Sequence, residues 1–60
     1  MTFYSLNVRV YDREGIHKPD HDLNIADINH PELEAAIRRI IRLLESGAAA
    51  RMLIGRNLDP

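Results

Sequence analysis

Residues 29–45 constrain the fold of this chain more than any other segment, because only they are long enough to form a helix that nucleates a core. Asn29 is a typical N-cap residue, and Glu32, three positions later, completes the pattern of a capping box. A competing start places the cap at His30 with Pro31 as the first helical residue, which moves the boundary by one position. At about 100° per residue the apolar side chains form one broad stripe, as in a helix packed on one layer. The stripe contains Leu33, Ala36, Ile37, Ile40, Ile41, Leu43 and Leu44.

The N-terminal segment, residues 3–11, alternates between apolar and polar side chains, which is the pattern of a half-buried β-strand. One face carries Tyr4, Leu6, Val8 and Val10, and the other carries Ser5, Asn7 and Arg9. Phe3 and Tyr11 interrupt the polar face at its two ends and are therefore candidates for contact with a second subunit. The alternation predicts that the apolar face of this strand packs against the helix.

The remaining segments predict shorter elements. Residues 12–15 end in Gly15, which favours a tight reversal because glycine tolerates positive φ. Residues 16–28 contain a proline and several turn-forming residues, and we interpret them as an irregular loop with a short edge strand around Asp22–Ile25. For residues 51–55 we favour a strand that returns beside the first one, with a short helix as the alternative.

Together these segments predict one α+β domain over residues 1–60, with a small antiparallel sheet packed on one amphipathic helix. The sheet would contain the long N-terminal strand and one or two short strands. The predicted core consists of Tyr4, Leu6, Val8, Val10, Ile28, Leu33, Ile37, Ile40, Ile41, Leu44 and Ile54. A chain of 60 residues buries only about 60% of its unfolded surface, and this one has no cysteine for a disulfide. We therefore expect a homodimer or a larger partner to complete the core.

The sequence contains few residues suited to catalysis or metal binding. Side chains of metal-ligand type cluster only at His17, Asp20, His21 and Asp22. A proline within this cluster opposes the helix that would place both histidines on one face, and no His-Glu-x-x-His motif is present. We interpret the cluster as a polar surface loop and predict neither a metal nor a cofactor. A chain this short has little interior from which to exclude water, so we predict no enzymatic activity.

Charge is unevenly distributed, although the net charge is only −1. Residues 12–34 carry seven acidic and two basic residues, whereas residues 35–60 carry five basic and two acidic residues. We predict that the acidic half contacts a basic surface on a partner protein. The predicted contact residues are Glu14, Asp20, Asp22 and Asp27. No signal peptide and no apolar stretch of ~20 residues is apparent, so we expect a soluble cytoplasmic protein without membrane contacts.

The outer face of the predicted helix provides an alternative function. Arg38 and Arg42 are four positions apart and point the same way, with Arg39 beside them. In a dimer, two such clusters would contact the phosphates of a nucleic acid. The flanking Glu34 and Glu45 favour instead a solvated face with local ion pairs.

The order of elements, strand first and helix after, is similar to that of small antitoxin domains of the HicB type, in which one helix packs on a sheet. The resemblance covers only this order, and no functional residue follows from it. The size, the acidic segment and the sparse catalytic residues favour a non-enzymatic protein-binding module. We predict a small inhibitor or regulator of the phage or plasmid accessory type, antitoxin-like or anti-defence, that occupies a surface of a larger host protein or nucleoprotein complex.

Overall fold

A three-stranded antiparallel sheet and one α-helix make up residues 2–58, the part of the chain that the structure, a computed structural model, describes. In chain order the elements are β1 (Thr2–Tyr11), a short 3-10 helix (Pro19–His21), β2 (Leu23–Ile28), α1 (His30–Glu45) and β3 (Ala49–Leu58). The predicted α+β class is confirmed. Among these residues, no helix combines the length and the apolar content that crossing a membrane requires.

β1 is the central strand, because β2 and β3 pair with it on either side. Both neighbours run antiparallel to β1. Successive side chains of a strand point to opposite faces, so Leu6, Val8 and Val10 enter the core while Asn7 and Arg9 are exposed on the outer face. The strand that the alternating pattern predicts is therefore present with the expected face buried.

α1 begins with the capping box that its sequence predicts. The Asn29 side-chain oxygen accepts a hydrogen bond from the Glu32 N–H at 2.9 Å, and the Glu32 carboxylate accepts one from the Asn29 N–H at 3.1 Å. After the C-cap, Gly47 adopts a φ of 103° and its N–H donates to the Leu44 carbonyl at 3.0 Å. A left-handed glycine just after a helix satisfies its last carbonyls, so both ends of α1 are set by local sequence.

α1 crosses over β1 on its way from β2 to β3. Since β2 and β3 are both antiparallel to β1, this is a parallel crossover, which is right-handed in nearly all proteins. The helix buries Leu33, Ala36 and Ile40. These side chains form one core with Leu6, Val8, Val10 and Ile28. The core therefore lies between the helix and the central strand.

Residues 12–28 are more regular than the predicted loop. Gly15 makes the expected reversal with a φ of 82°, but β2 runs on to Ile28 instead of ending near Ile25. The register between β2 and β1 shifts between Tyr4 and Leu6, and Asp27 adopts a φ of 56°. The prediction placed a strand here but made it too short, because its Asn and Asp residues are turn formers, a preference that pairing with β1 overrides.

The predicted return strand is confirmed and is longer than expected. β3 pairs with β1 from Thr2 opposite Leu58 to Tyr11 opposite Ala49, without a register shift. Residues that face each other across an antiparallel pair point to the same side of the sheet. Met52 lies opposite Val8 and therefore points to the helix side, as Ile54 does opposite Leu6.

Three residues of the predicted core are exposed. Ile41, Leu44 and Ile54 are 46%, 45% and 45% exposed, whereas Tyr4 and Ile37 are partly buried against the core. The prediction was wrong for Ile41 and Leu44 because the apolar stripe of the helix is wider than the area that β1 covers, and for Ile54 because it lies on the edge strand β3. One flank of the stripe lies above β3. No other element of residues 2–58 covers that flank.

Candidate interaction surfaces

Asp22, one of the predicted contact residues, ties the β1–β2 loop to the central strand. Its Oδ1 accepts a hydrogen bond from the Val10 N–H at 2.9 Å, and its Oδ2 lies 2.6 Å from Nε2 of His17. The hydrogen bond from Val10, followed by the contact with His17, lowers the pKa of Asp22 from its ordinary value of 3.8. Since both carboxylate oxygens are engaged inside the loop, Asp22 organises the loop rather than contacting a partner.

Asp12 has the same role at the start of the loop. Its Oδ1 accepts hydrogen bonds from the N–H groups of Glu14 at 2.8 Å and Ile16 at 2.9 Å, and Nζ of Lys18 lies 3.7 Å from Oδ2. These interactions, with the Ile16 hydrogen bond as the largest, lower the pKa of Asp12 below its ordinary value of 3.8. Two ionised carboxylates therefore hold the loop in one conformation.

The four predicted acidic contact residues do not form one patch. Glu14 and Asp20 are exposed in the β1–β2 loop, at one end of the sheet. Asp27 is also exposed, but it follows Asp22 by five residues along β2, about 16 Å at ~3.3 Å per residue. Only Glu14 and Asp20 combine exposure with a shared position, so the acidic contact surface is smaller than expected.

The three histidines lie apart. His17 contacts the loop aspartate described above, and its ring centroid lies 5.6 Å from that of Tyr11. His30 begins α1 at the other end of the sheet, with Nδ1 3.2 Å from Oε1 of Glu34. His21 is exposed in the 3-10 helix. Residues 2–58 contain no group of three or more His, Cys, Asp or Glu side chains that could hold a metal ion.

The arginines of the alternative function are exposed on the solvent side of α1. They are Arg38, Arg39 and Arg42. Nη2 of Arg38 lies 3.6 Å from Oε2 of Glu34, an exposed pair of the kind that contributes at most about 0.5 kcal/mol. The helix therefore presents these guanidinium groups to solvent, away from the sheet.

A pair of arginines on the sheet was not predicted. Arg9 and Arg51 lie directly opposite each other in the pairing of β1 with β3, on the outer face of the sheet. Together with Asn7 and Leu53 they line a shallow hollow of about 190 Å³. Like charges directly opposite each other destabilise a sheet, so this position is suited to an anion. Only the pairing register reveals it, because the two arginines are far apart in the sequence.

An apolar surface remains open between α1 and β3. We call it the β3 groove and define it by Ile41 and Leu44 of the helix and by Met52 and Ile54 of the strand. These side chains are 36–46% exposed. Full burial of a side chain of this size stabilises a protein by about 1.5–3 kcal/mol, so covering the exposed part would add roughly 1 kcal/mol for each. The groove is therefore a large exposed apolar surface whose burial would stabilise the protein.

The position of Leu43 shows that the exposed flank of α1 lies above β3. Leu43 lines a hollow of about 210 Å³ together with Lys18 and His21 of the β1–β2 loop, so its side of the helix faces β2. On a helical wheel Ile41 and Leu44 lie on the other side of the buried Ile40. Ile41 and Leu44 therefore lie on the side of the helix that faces β3, and Met52 and Ile54 point to the helix side of the sheet.

The β3 groove continues into an open strand edge. Within the described part of the chain no strand pairs with the outer edge of β3, which is ten residues long. Leu53, on the opposite face from the groove, is 68% exposed. A long, regular edge with apolar side chains on both faces readily pairs with another chain. The signal for it in the sequence is the run Met52–Ile54, since consecutive apolar residues in a strand fall on both faces.

Comparisons of this chain with protein-family models, with curated proteins and with solved structures find no match. The surfaces are accordingly interpreted from their chemistry. The β3 groove and the loop residues Glu14 and Asp20 are the apolar and acidic candidates, and the two arginine clusters are the basic ones.

Proposed function

We propose that this chain is a non-enzymatic protein-binding module, a small inhibitor or regulator that acts in the cytoplasm by occupying a surface of a larger protein or nucleoprotein complex. The β3 groove beside an open strand edge is the observation that supports the proposal most. An extended segment of a partner can add a strand to β3 through main-chain hydrogen bonds, while its side chains cover Met52 and Ile54. The contact would complete a core that the chain alone leaves open.

The two hollows favour protein binding over catalysis. Their volumes are about 210 Å³ and about 190 Å³, and both are open to solvent. Sites for small molecules usually enclose about 300–1,000 Å³. Chemistry that depends on excluding water has little room in either hollow.

Glu14 and Asp20 supply the charged part of the proposed contact. Both are exposed on a loop whose conformation is held by the Asp12 and Asp22 carboxylates. Exposed charges of this kind mainly raise the association rate with a basic partner and improve specificity. Asp22 is left out because it is engaged within the loop, and Asp27 because it lies near the other end of β2.

Capture of binding proteins from cells that produce the chain tests this proposal when three baits are compared. Ile54→Lys places a charge in the β3 groove, and Asn24→Lys places the same charge at an exposed position of the other edge strand. We expect the wild type and Asn24→Lys to retain the same protein, and Ile54→Lys to bind it at least about tenfold more weakly. Circular dichroism would check that each bait is folded. Equal retention by all three baits would contradict the proposed surface.

Nucleic-acid binding is the second candidate, and the Arg9–Arg51 pair favours it. That pair lies on the outer face of the sheet, whereas Arg38 and Arg42 lie on the solvent side of the helix. The two clusters are separated by both layers of the fold, so one duplex contacts only one of them. A mobility-shift assay at ~50 mM salt should show retardation that Arg51→Gln abolishes. Absence of retardation for the wild type would exclude this candidate.

A further inference from the structure

We propose that the β3 groove of the free protein is occupied by a second copy of this chain, with the two β3 strands paired antiparallel around a twofold axis at Leu53. The result is one six-stranded sheet with both helices on the same side. This inference rests on the proposed function in one respect, that the β3 groove accepts a polypeptide. It goes further by naming the polypeptide and the register.

The side chains of β3 are self-complementary in this register. A twofold axis perpendicular to the sheet keeps both helices on one side, so each residue must pair with one from the same face of the partner strand. Pairing around Leu53 places Met52 opposite Ile54 of the partner subunit, and the reverse pair forms across the axis. All four of these side chains lie on the helix side, where each copy alone leaves them partly exposed.

The distance between the two copies of β1 in the joined sheet leaves room for the two helices. Neighbouring strands lie about 4.8 Å apart, so the two copies of β1 would be three spacings, or about 14 Å, apart in the joined sheet. A helix with its side chains is about 10–12 Å across, and two helices therefore fit side by side above β1 of each copy. Ile41 and Leu44, which lie on the β3 side of α1, then point toward the partner subunit.

Charges also favour a register centred on Leu53. Arg51 falls opposite Gly55 of the partner subunit, so no two arginines face each other. Arg56 falls opposite Ala50 of the partner subunit, at the end of the sheet where the partner's Glu45 ends its helix. Neither Glu45 nor Arg56 has an ion-pair partner among residues 2–57 of its own chain. The dimer supplies one to each, twice across the axis.

Other registers fit less well. Centring the pair on Ile54 would place Arg56 opposite Met52 of the partner subunit, within the apolar cluster. Centring it on Met52 would place Ile54 opposite the partner's Ala50, a smaller side chain that covers less of it. The register at Leu53 is the one that joins the apolar residues and separates the arginines.

The surface area of the single chain supports a second copy as the occupant of the β3 groove. The chain exposes 4647 Å², whereas a folded monomer of 6.9 kDa exposes about 4,000 Å². The excess, on the order of 600 Å², is close to the roughly 800 Å² that each partner contributes to a standard interface. The chain is also elongated, at 44 × 16 × 14 Å, and side-by-side pairing along β3 would make the particle more compact.

A second copy of the chain and a larger target protein would both bind at the β3 edge. Dimerisation and target binding through the β3 groove therefore exclude each other. The dimer would be the resting form, and target binding would release one copy. Apparent target affinity would then fall as the concentration of the chain rises. The loop with Glu14 and Asp20 stays exposed in either state.

A cysteine scan tests the register, because the chain has no cysteine of its own. A residue on the twofold axis lies about 4.5–5.5 Å from its symmetry mate between Cα atoms, within the range of a disulfide. We expect oxidised Leu53→Cys to form a covalent dimer on a non-reducing gel. Arg51→Cys and Asn57→Cys, on the same face, should not form one, because they are offset from their mates by roughly 13 Å or more along the strand. Cross-linking at Met52→Cys or Ile54→Cys but not at Leu53→Cys would overturn the register.

Sedimentation equilibrium tests the association and its ion pairs. We expect the wild type to be a dimer, Arg56→Glu to dimerise about tenfold more weakly, and the charge-swapped Glu45→Arg/Arg56→Glu to regain most of the loss. Circular dichroism would confirm that the variants fold. A wild type that remains monomeric up to about 1 mM would overturn the inference. If such a monomer still captured a target that Ile54→Lys loses, the proposed function would stand without the dimer.

Discussion

The two edge strands of this sheet are built in opposite ways. β2 is six residues long, shifts register against β1 between Tyr4 and Leu6, and carries Asp27 at a φ of 56°. β3 is ten residues long, pairs with β1 without a shift, and leaves Met52, Leu53 and Ile54 exposed. Both strands are neighbours of the same central strand, so the difference comes from their own sequences.

The difference shows which strand edge is protected against pairing with another chain. Short length, an irregular register and polar residues are the devices by which proteins prevent a strand edge from pairing with another chain. β2 has all three, and the loop that leads into it is held by the Asp12 and Asp22 carboxylates. β3 is long and pairs without a shift, and although it carries Arg51, Arg56 and Asn57, its middle residues Met52, Leu53 and Ile54 are apolar and exposed. The β3 edge is therefore the less protected of the two, as the proposed contacts require.

The contrast between the buried centre of the apolar stripe of α1 and its exposed flank gives the largest expected effect. Ile40 is buried in the core, whereas Ile41 is 46% exposed in the β3 groove. Ile40→Ala should cost about 2–5 kcal/mol of unfolding free energy because it leaves a cavity. Ile41→Ala should cost about 1 kcal/mol or less in dilute protein, where the groove is uncovered. Urea denaturation measures both, and equal losses would break the comparison.

Asp27 provides a sharper test of the β2 edge. Its left-handed backbone is tolerated by Asp and preferred by Gly, but a β-branched side chain is strained there. Asp27→Val should therefore be less stable than Asp27→Gly by about 1–2 kcal/mol. Chemical denaturation of the two variants provides the comparison. If Asp27→Val were as stable as Asp27→Gly, the irregularity of this edge would not be enforced by the backbone.

The smallest expected effect is a dependence on pH that is confined to the β2 side. Hydrogen bonding lowers the folded-state pKa of Asp22 and of Asp12 below the ordinary value of 3.8. A carboxylate with a lowered pKa stabilises the fold above its unfolded pKa, and the contribution is lost as pH falls through the folded pKa. Thermal melts should therefore show a steeper loss of stability below pH about 4 for the wild type than for Asp22→Asn. Identical acid profiles would show that the loop carboxylate does not support this side.

Local signals in the sequence predicted the elements that depend on local interactions. The capping box of Asn29 and Glu32, the reversal at Gly15 and the alternation of β1 are each contained within a few residues, and each is present. β2 was only partly predicted, because its turn-forming residues are held in a strand by pairing with β1. That pairing is a long-range interaction that periodicity does not show.

The candidate site was harder to predict for a similar reason. Helical periodicity identified Ile41 and Leu44 as apolar-face residues but could not show how much of that face the sheet covers. The four acidic residues lie close together in the sequence, yet Asp22 accepts a hydrogen bond from Val10 and Asp27 lies near the far end of β2. The Arg9–Arg51 pair exists only through the register of β1 and β3. In each case the missing information was which residues become neighbours in three dimensions.

Hydrogen exchange of the backbone amides in the two edge strands, measured at low and at high protein concentration, tests the central claim most directly. The amides of β3 that point away from β1 should gain protection as concentration rises, because a second polypeptide then accepts their hydrogen bonds. The outward amides of β2 should exchange at the same rate throughout. Exchange in β3 that does not change with concentration, or protection that rises equally in β2, would contradict the account.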